Sequence, residues 1–267
     1  ASQRTIPGMI RLITALITAL RTLTCLPVRG PEALRRPDAI PAFLPVGLLV
    51  GLIAGLPAWA IAEWLRWPSG GAFVAVALGF ALTRGLHADG LADACDAIAP
   101  CREREKMLAI LKDPHKGSFG VLALVLAALG AWVGWQQLLL CGQWTWGVAA
   151  VVAGRLAMAE LACTCPPATS DGSGAAIVAG VTPAHRLGSW LLAAICLVSL
   201  GLMPVVLMLP ALLIAFLVGR CCRRRLGGLT GDLLGATCLL TETACLLAGG
   251  AMAESLLHLR LQGITLF

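Results

Sequence analysis

The sequence predicts an all-α, polytopic integral membrane bundle of about seven transmembrane helices, led by an amphipathic one. Three observations carry this. Of 267 residues, 58% are hydrophobic and only 13% charged. The apolar residues fall in blocks of about 20, the length a helix needs to cross the hydrocarbon core. The charges gather between those blocks. One soluble core of this size would need far less apolar surface. Lys and Arg number 20 against 14 Asp and Glu, a net charge of +6. They sit at block boundaries and not in one run, so they serve to orient helices, and nucleic acid is not an expected partner. The 11 cysteines include no C-x-x-C pair and read as small apolar residues in a reducing compartment. Arg11 and Arg21 interrupt the first apolar stretch and no A-x-A site follows, so no signal peptide is expected.

The whole chain, 1–267, is read as one membrane-embedded catalytic domain. In 9–26, Leu12, Ile13, Leu16, Ile17, Leu20 and Leu23 recur at helical steps opposite Thr14, Thr18 and Arg21, which predicts an amphipathic interfacial helix. Pro27, Pro31 and Pro37 then give an irregular basic segment. Spans are expected at 42–62 and 70–86, a hairpin, then at 119–141 and 144–165. A Gly/Ser/Pro-rich loop covers 166–186. The 32-residue apolar block at 188–219 is too long for one ordinary helix, and Pro204 and Pro210 mark a reversal that makes it two crossings. A last span runs over 233–253. The positive-inside rule places the N-terminal segment, the 87–118 acid-motif loop (Arg102, Arg104, Lys106, Lys112, Lys116) and the 220–232 Arg/Gly-rich loop on the cytoplasmic side.

Within 87–118 the string H-A-D-G-L-A-D-A-C-D puts Asp89, Asp93 and Asp96 at helical intervals of four and three, on one helix face. Three such carboxylates repel one another unless a cation sits among them, and hard oxygen donors suit Mg²⁺. The plain alternative is a solvated acidic face at a helix end. Lys112, Asp113, Pro114, His115, Lys116, Gly117, Ser118, Phe119 and Gly120 follow at the mouth of the next helix, where backbone N–H groups attract anions. Metal beside an anion seat is the layout of phosphoryl transfer.

A second constellation follows Arg223, Arg224 and Arg225: a Gly-rich turn, Thr230 and Asp232 at a helix start, and Glu242 inside the last apolar span. Thr230 or Asp232 would cap that helix. An acid as deep as Glu242 is expected to face the bundle interior and a partner. Arg84, Arg155 and Glu160 also lie in or beside apolar helices; Arg155 and Glu160 either pair or line a cavity. Four crossings separate Asp96 from Asp232, so both acid motifs end on one face.

The strings Gly85-Leu86-His87-Ala88-Asp89-Gly90-Leu91-Ala92-Asp93-Ala94-Cys95-Asp96, Lys112-Asp113 to Gly117-Ser118-Phe119-Gly120, and Gly227-Gly228-Leu229-Thr230-Gly231-Asp232 with Gly235-Ala236 together resemble the cobalamin synthase, or adenosylcobinamide-GDP ribazoletransferase, family. The resemblance implies a transferase that condenses adenosylcobinamide-GDP with α-ribazole or its 5′-phosphate and releases GMP. It implies Mg²⁺ on Asp89, Asp93 and Asp96, and attack of the ribazole 3′-hydroxyl on the cobinamide-side phosphorus. The hydroxyl proton would pass to one of the aspartates or to His87. Phosphates and substrate would be held by Lys112, Asp113, His115, Lys116, Ser118, Arg223, Arg224, Thr230, Asp232 and Glu242. One departure stands out: family members commonly carry Ser-Arg after the Lys-Asp pair, and this chain has Pro114-His115. His115 or Lys116 would then replace that Arg.

The expected location is the cell inner membrane, multi-pass, with the active site facing the cytoplasm. Partners are the two substrates and the lipid bilayer, with self-association left open. Two other readings fit parts of the chain. A CDP-alcohol phosphotransferase shares a D-G acid motif, but Asp89-Gly90 is followed by Leu-Ala-Asp and the later acid repeat is missing. A transporter would use Arg84, Arg155 and Glu242 for permeation, yet the halves show no inverted repeat.

Overall fold

A computed structural model describes residues 8–100, 103–170 and 172–261, so Arg102 lies outside the described residues. The described chain is helical. α1 (Gly8–Leu23) leads to a 3₁₀ turn (Arg36–Ala39), then α2 (Phe43–Trp64), α3 (Pro68–Leu82), α4 (Leu86–Ile98), α5 (Arg104–Ile110), α6 (Ser118–Leu140) and α7 (Trp144–Thr164). α8 (Ser173–Val178), α9 (Pro183–Ser199), a 3₁₀ turn (Met203–Leu207), α10 (Met208–Arg225) and α11 (Gly231–Leu261) complete it.

The seven expected apolar helices are α2, α3, α6, α7, α9, α10 and α11. By length and composition five stretches cross a membrane alone: α2, α6, α7, α10 with its leading 3₁₀ turn, and most of α11. α3 and α4 form a pair bent by 85° that would count as a sixth. α9 is shorter, at 17 residues. The reversal in 188–219 sits at Gly201, whose φ of +125° favours glycine, and not at the prolines. Pro204 and Pro210 instead occupy the 3₁₀ turn and the first turn of α10, where a missing N–H costs nothing.

α7 is the axis of the bundle. Of its most apolar window 83% is buried, against 28% for α6 and for the α10 stretch. Its small residues Ala149, Ala150, Ala153, Gly154 and Ala157 let neighbours approach closely, which drives helix association where water is absent. The outward faces of α6, α9 and α10 carry exposed Leu, Val, Ile and Phe, as a lipid-facing surface should. α1 behaves alike: Met9, Leu12 and Ile13 point outward, while Ala15, Thr18 and Ala19 are buried, and Thr18 Oγ1 accepts the N–H of Ala33 at 2.8 Å. At one end of the bundle exposed Trp64 and Trp67 flank the α2–α3 turn, and Trp59 packs 6.1 Å from both Trp64 and Trp144. Such aromatics mark a membrane boundary. The acid motifs lie at the opposite end, with Lys116 and Arg223.

Two segments expected as loops are largely helical. Residues 87–118 contain α4 and α5, because α4 buries Leu91, Ala92, Ala94 and Ala97 and so belongs to the bundle. Residues 220–225 are the last turns of α10, leaving only 226–230 as a turn.

α11 packs on α4, α6 and α7, and glycine sets how near. A Cβ on Gly90 would stand 2.6 Å from the Asp232 carbonyl oxygen, and one on Gly235 would meet the Leu86 carbonyl oxygen at 3.2 Å. The two motifs therefore touch through backbone. Gly90→Val should push α4 off α11 and cost about 1–3 kcal/mol, the usual scale of overpacking. The check is thermal unfolding of the purified protein, with a drop of several degrees expected; an unchanged transition would mean the two helices have room to part.

Candidate active site

The acid helix begins at a strained corner. α3 ends with the Gly85 N–H reaching back to the Phe80 carbonyl at 2.9 Å, and Arg84 and Gly85 both adopt positive φ, +52° and +67°. A left-handed arginine is uncommon and such strain gathers at functional sites. The corner turns α4 so that Asp89 and Asp93, one turn apart, aim their carboxylates toward α6.

Lys116 meets them there. Its Nζ lies 2.6 Å from Asp89 Oδ1 and 2.5 Å from Asp93 Oδ1. Burial disfavours the ammonium, but hydrogen bonds to Asp89 and Asp93 outweigh that and hold its pKa above the ordinary lysine value. It therefore stays charged throughout the neutral range. Asp93 is 10% exposed and Asp89 62%, so one carboxylate anchors and the other opens outward. A groove of about 450 Å³ adjoins the pair, lined by Arg84, Asp89, Ala92, Lys116 and Leu124. Asp232, at the start of α11, stands within electrostatic range of Asp89, Asp93 and Lys116.

Asp96 does something else. Its two carboxylate oxygens accept the N–H groups of Gly117 at 2.7 Å and Gly120 at 2.9 Å, capping α6 from a neighbouring helix. The anion seat expected for phosphate at the mouth of α6 is thus filled by the protein's own carboxylate, which the helix dipole favours equally well. Gly117 is required: a Cβ there would lie 2.5 Å from Asp96 Oδ1. The three aspartates do not meet at one point. Among the described residues no three His, Cys, Asp or Glu side chains gather to hold a metal ion.

The remaining expected residues scatter. His87 is buried on the far side of α4, since two residues along a helix turn about 200°. There it lines an interior cavity with Arg155 and Glu242. Glu242 pairs with Arg155, as an intramembrane acid requires, while Glu160 bonds Arg186 at 2.7 and 2.9 Å and Trp190 at 3.0 Å. The Arg155–Glu160 pairing is therefore replaced by two separate pairs. His115 folds back on Asp113, donating its N–H at 2.9 Å with Nδ1 2.7 Å from the same oxygen. Those bonds hold Asp113 below its usual carboxylate range, and they keep His115 off the acid pair. Of the two candidates to replace the missing Arg, Lys116 is the one at the site. Lys112 and Ser118 are exposed.

Thr230 accepts the N–H of Leu233 at 3.4 Å and caps α11. Arg223 reaches the Thr164 carbonyl at 3.4 Å, Arg225 that of Ile98 at 3.4 Å, and Arg224 is exposed. This cluster borders the far end of α4, not the groove. Sequence reasoning left two residues out of the site, although Arg84 is noted there as a charge beside an apolar helix. Arg84 lines the groove, and its position directly before the acid motif was the available signal. Arg104 bonds the carbonyls of Leu226 at 2.8 Å and Ala168 at 2.9 Å, fastening the turns after α7 and α10; nothing in its local sequence distinguishes it from other surface arginines.

Fold and site define an integral membrane enzyme that brings paired carboxylates and cationic side chains to an open groove at one end of a helical bundle. The family model described as cobalamin-5-phosphate synthase matches residues 15–250. The chain is 41% identical over 238 residues to an adenosylcobinamide-GDP ribazoletransferase of Chlorobaculum parvum, covering 87% of this chain and 93% of that one. Identity to the Chlorobaculum tepidum protein of the same name is 39%, with the same coverage. A Clostridium botulinum protein of that name is 34% identical over 62% of this chain and 68% of its own. The chain belongs to the cobalamin-5-phosphate synthase family. No solved structure matches it.

Asp96→Asn tests the separation of roles. Loss of the charged cap should cost about 1 kcal/mol and lower the unfolding temperature of the purified protein by a few degrees. Divalent-cation binding, measured by calorimetry, should persist. Unchanged stability with abolished cation binding would return Asp96 to the metal trio.

Proposed function

We propose that the chain is an adenosylcobinamide-GDP ribazoletransferase, joining that substrate to α-ribazole or its 5′-phosphate with release of GMP. The observation that supports this most is the convergence of Asp89 and Asp93 on one cationic position beside an open groove, in a chain of this family. The product would be adenosylcobalamin or its 5′-phosphate.

Mg²⁺ is the cofactor of this reading. The residues fit it: two carboxylates already share one cation, and Mg²⁺ is commonly held by one or two carboxylates with waters and substrate phosphate. Asp89 and Asp93 would hold it, with Asp232 the next carboxylate; bound there, it would neutralise charge on the phosphate oxygens. Lys116 occupies that cation position and would exchange it for the diphosphate, carrying its charge toward the anion. Arg84 lines the same groove and serves the same anion. The ribazole 3′-hydroxyl attacks the cobinamide-side phosphorus and GMP departs in line. Asp89, the more exposed of the pair, takes the hydroxyl proton. His87 is not needed for that step, because it faces away from the groove.

The basic residues gathered at the acid end support a site on the cytoplasmic face of the inner membrane, by the positive-inside rule. The transporter reading loses Arg155 and Glu242 as permeation groups, since they bind each other.

Two variants test the site. Asp93→Asn should lower GMP release by about a hundredfold or more with the unfolding transition unmoved; full turnover would remove the role. Lys116→Met should tighten Mg²⁺ binding in calorimetry while lowering turnover, because the competing ammonium is gone and the phosphate cation with it. Weaker Mg²⁺ binding in that variant would contradict the exchange.

A further inference from the structure

The interior cavity between α2, α3, α4, α6, α7 and α11 has chemistry the transfer reaction does not use. Its volume is about 50 Å³, and among its lining groups are Thr83, His87, Trp135, Arg155, Glu242 and Leu246. His87 is 4% exposed and Arg155 1%. Among the described residues neither His87 ring nitrogen nor Arg155 Nε has a hydrogen-bond partner. Arg155 directs Nη1 to Glu242 and to Cys238 Sγ, leaving Nε–H for another acceptor. Thr83 donates its hydroxyl to the Gly79 carbonyl at 2.9 Å, so its lone pairs are free to accept. Donors and acceptors of both kinds therefore converge near the midpoint of α7, where lipid offers none.

We infer that this cavity is a hydration site: a small cluster of ordered water joins the His87 ring to Thr83 and to the Arg155–Glu242 pair. The volume suits it. A water needs roughly 10–15 Å³ of such space and two to four polar partners, so roughly three to five molecules fit; no substrate group of the size of a nucleotide or corrinoid does. The consequence concerns α4. His87 is two residues from Asp89 on the opposite face, so water that fixes the His87 ring against α7 and α11 fixes the rotation of α4 about its axis. That rotation sets where Asp89 and Asp93 point. His87 is thus a positioning residue acting through solvent.

The activity arm of the test rests on the transferase reading; the density arm does not. A structure of the wild-type protein in a lipid nanodisc, at a resolution that shows water, should reveal density within hydrogen-bond distance of a His87 ring nitrogen and of Arg155 Nε. A dry cavity overturns the inference whatever the enzyme does. In parallel, His87→Gln, which keeps a donor and an acceptor but cannot carry a proton at neutral pH, should hold kcat within about threefold with the same KM and pH profile. His87→Leu should lose about tenfold or more in kcat at unchanged KM. If His87→Gln falls as far as His87→Leu, or a limb of the pH profile moves, the ring transfers protons and the positioning role is wrong. Should His87→Leu fail to fold, the density and the Gln variant decide. Absence of GMP release from wild type would end the transferase reading and leave the hydration site to the density.

Discussion

Two carboxylates one helical turn apart repel each other, and a cation between them relieves that repulsion. That constraint organises the acid end of this molecule. Lys116 meets the demand from the mouth of α6, so α6 must begin against α4. That proximity in turn places Asp96, three residues beyond Asp93, at the N-terminus of α6, where its carboxylate takes the N–H groups of Gly117 and Gly120. One stretch of acidic residues thus serves two separate tasks: Asp89 and Asp93 face a cation, and Asp96 fixes the helix that delivers it. The groove beside them inherits a positive margin from Lys116 and Arg84.

The rest of the bundle holds α4 still. Gly90 and Gly235 let α4 and α11 meet backbone to backbone, and Gly154 does the same for α7 and α11, where a Cβ would lie 3.0 Å from the Cys238 carbonyl oxygen. Small residues replace hydrophobic driving force in a bilayer, where tails are as apolar as Leu. The Arg155–Glu242 pair lies inside this dense packing. A buried ion pair is weak evidence of stability, but removing one partner strands a charge. His87 of the acid helix lines the same interior cavity as this pair.

Much of this was legible in the sequence, because its signals are local. Block length gave the apolar helices, and the four-and-three spacing gave the shared face of Asp89 and Asp93. The count of crossings put both acid motifs on one face, and Gly90 does lie against the Asp232 backbone. What was not legible depends on which side chain wins a partner in three dimensions. Asp96 shares the spacing of the other two, and only the tertiary placement of α6 diverts it. Glu160 is nearer to Arg155 in sequence than Glu242 is, yet α11 brings Glu242 closer in space and α9 brings Arg186 to Glu160. Residues 87–118 read as a loop because of their charge, although the aspartates fall at helical intervals and α4 is a largely buried helix. The family membership and the geometry at α4 are separate lines of support for the proposed transfer.

The central claim is that Asp89 and Asp93 present a divalent cation to the substrate diphosphate. The most direct measurement replaces Mg²⁺ with Mn²⁺ in the purified protein and reads electron–phosphorus coupling with adenosylcobinamide-GDP bound. A phosphorus coupling is expected in the wild-type protein, and it should disappear, together with tight Mn²⁺ binding, when Asp89 and Asp93 are both changed to Asn. Tight Mn²⁺ binding and phosphorus coupling that survive the double substitution would contradict it.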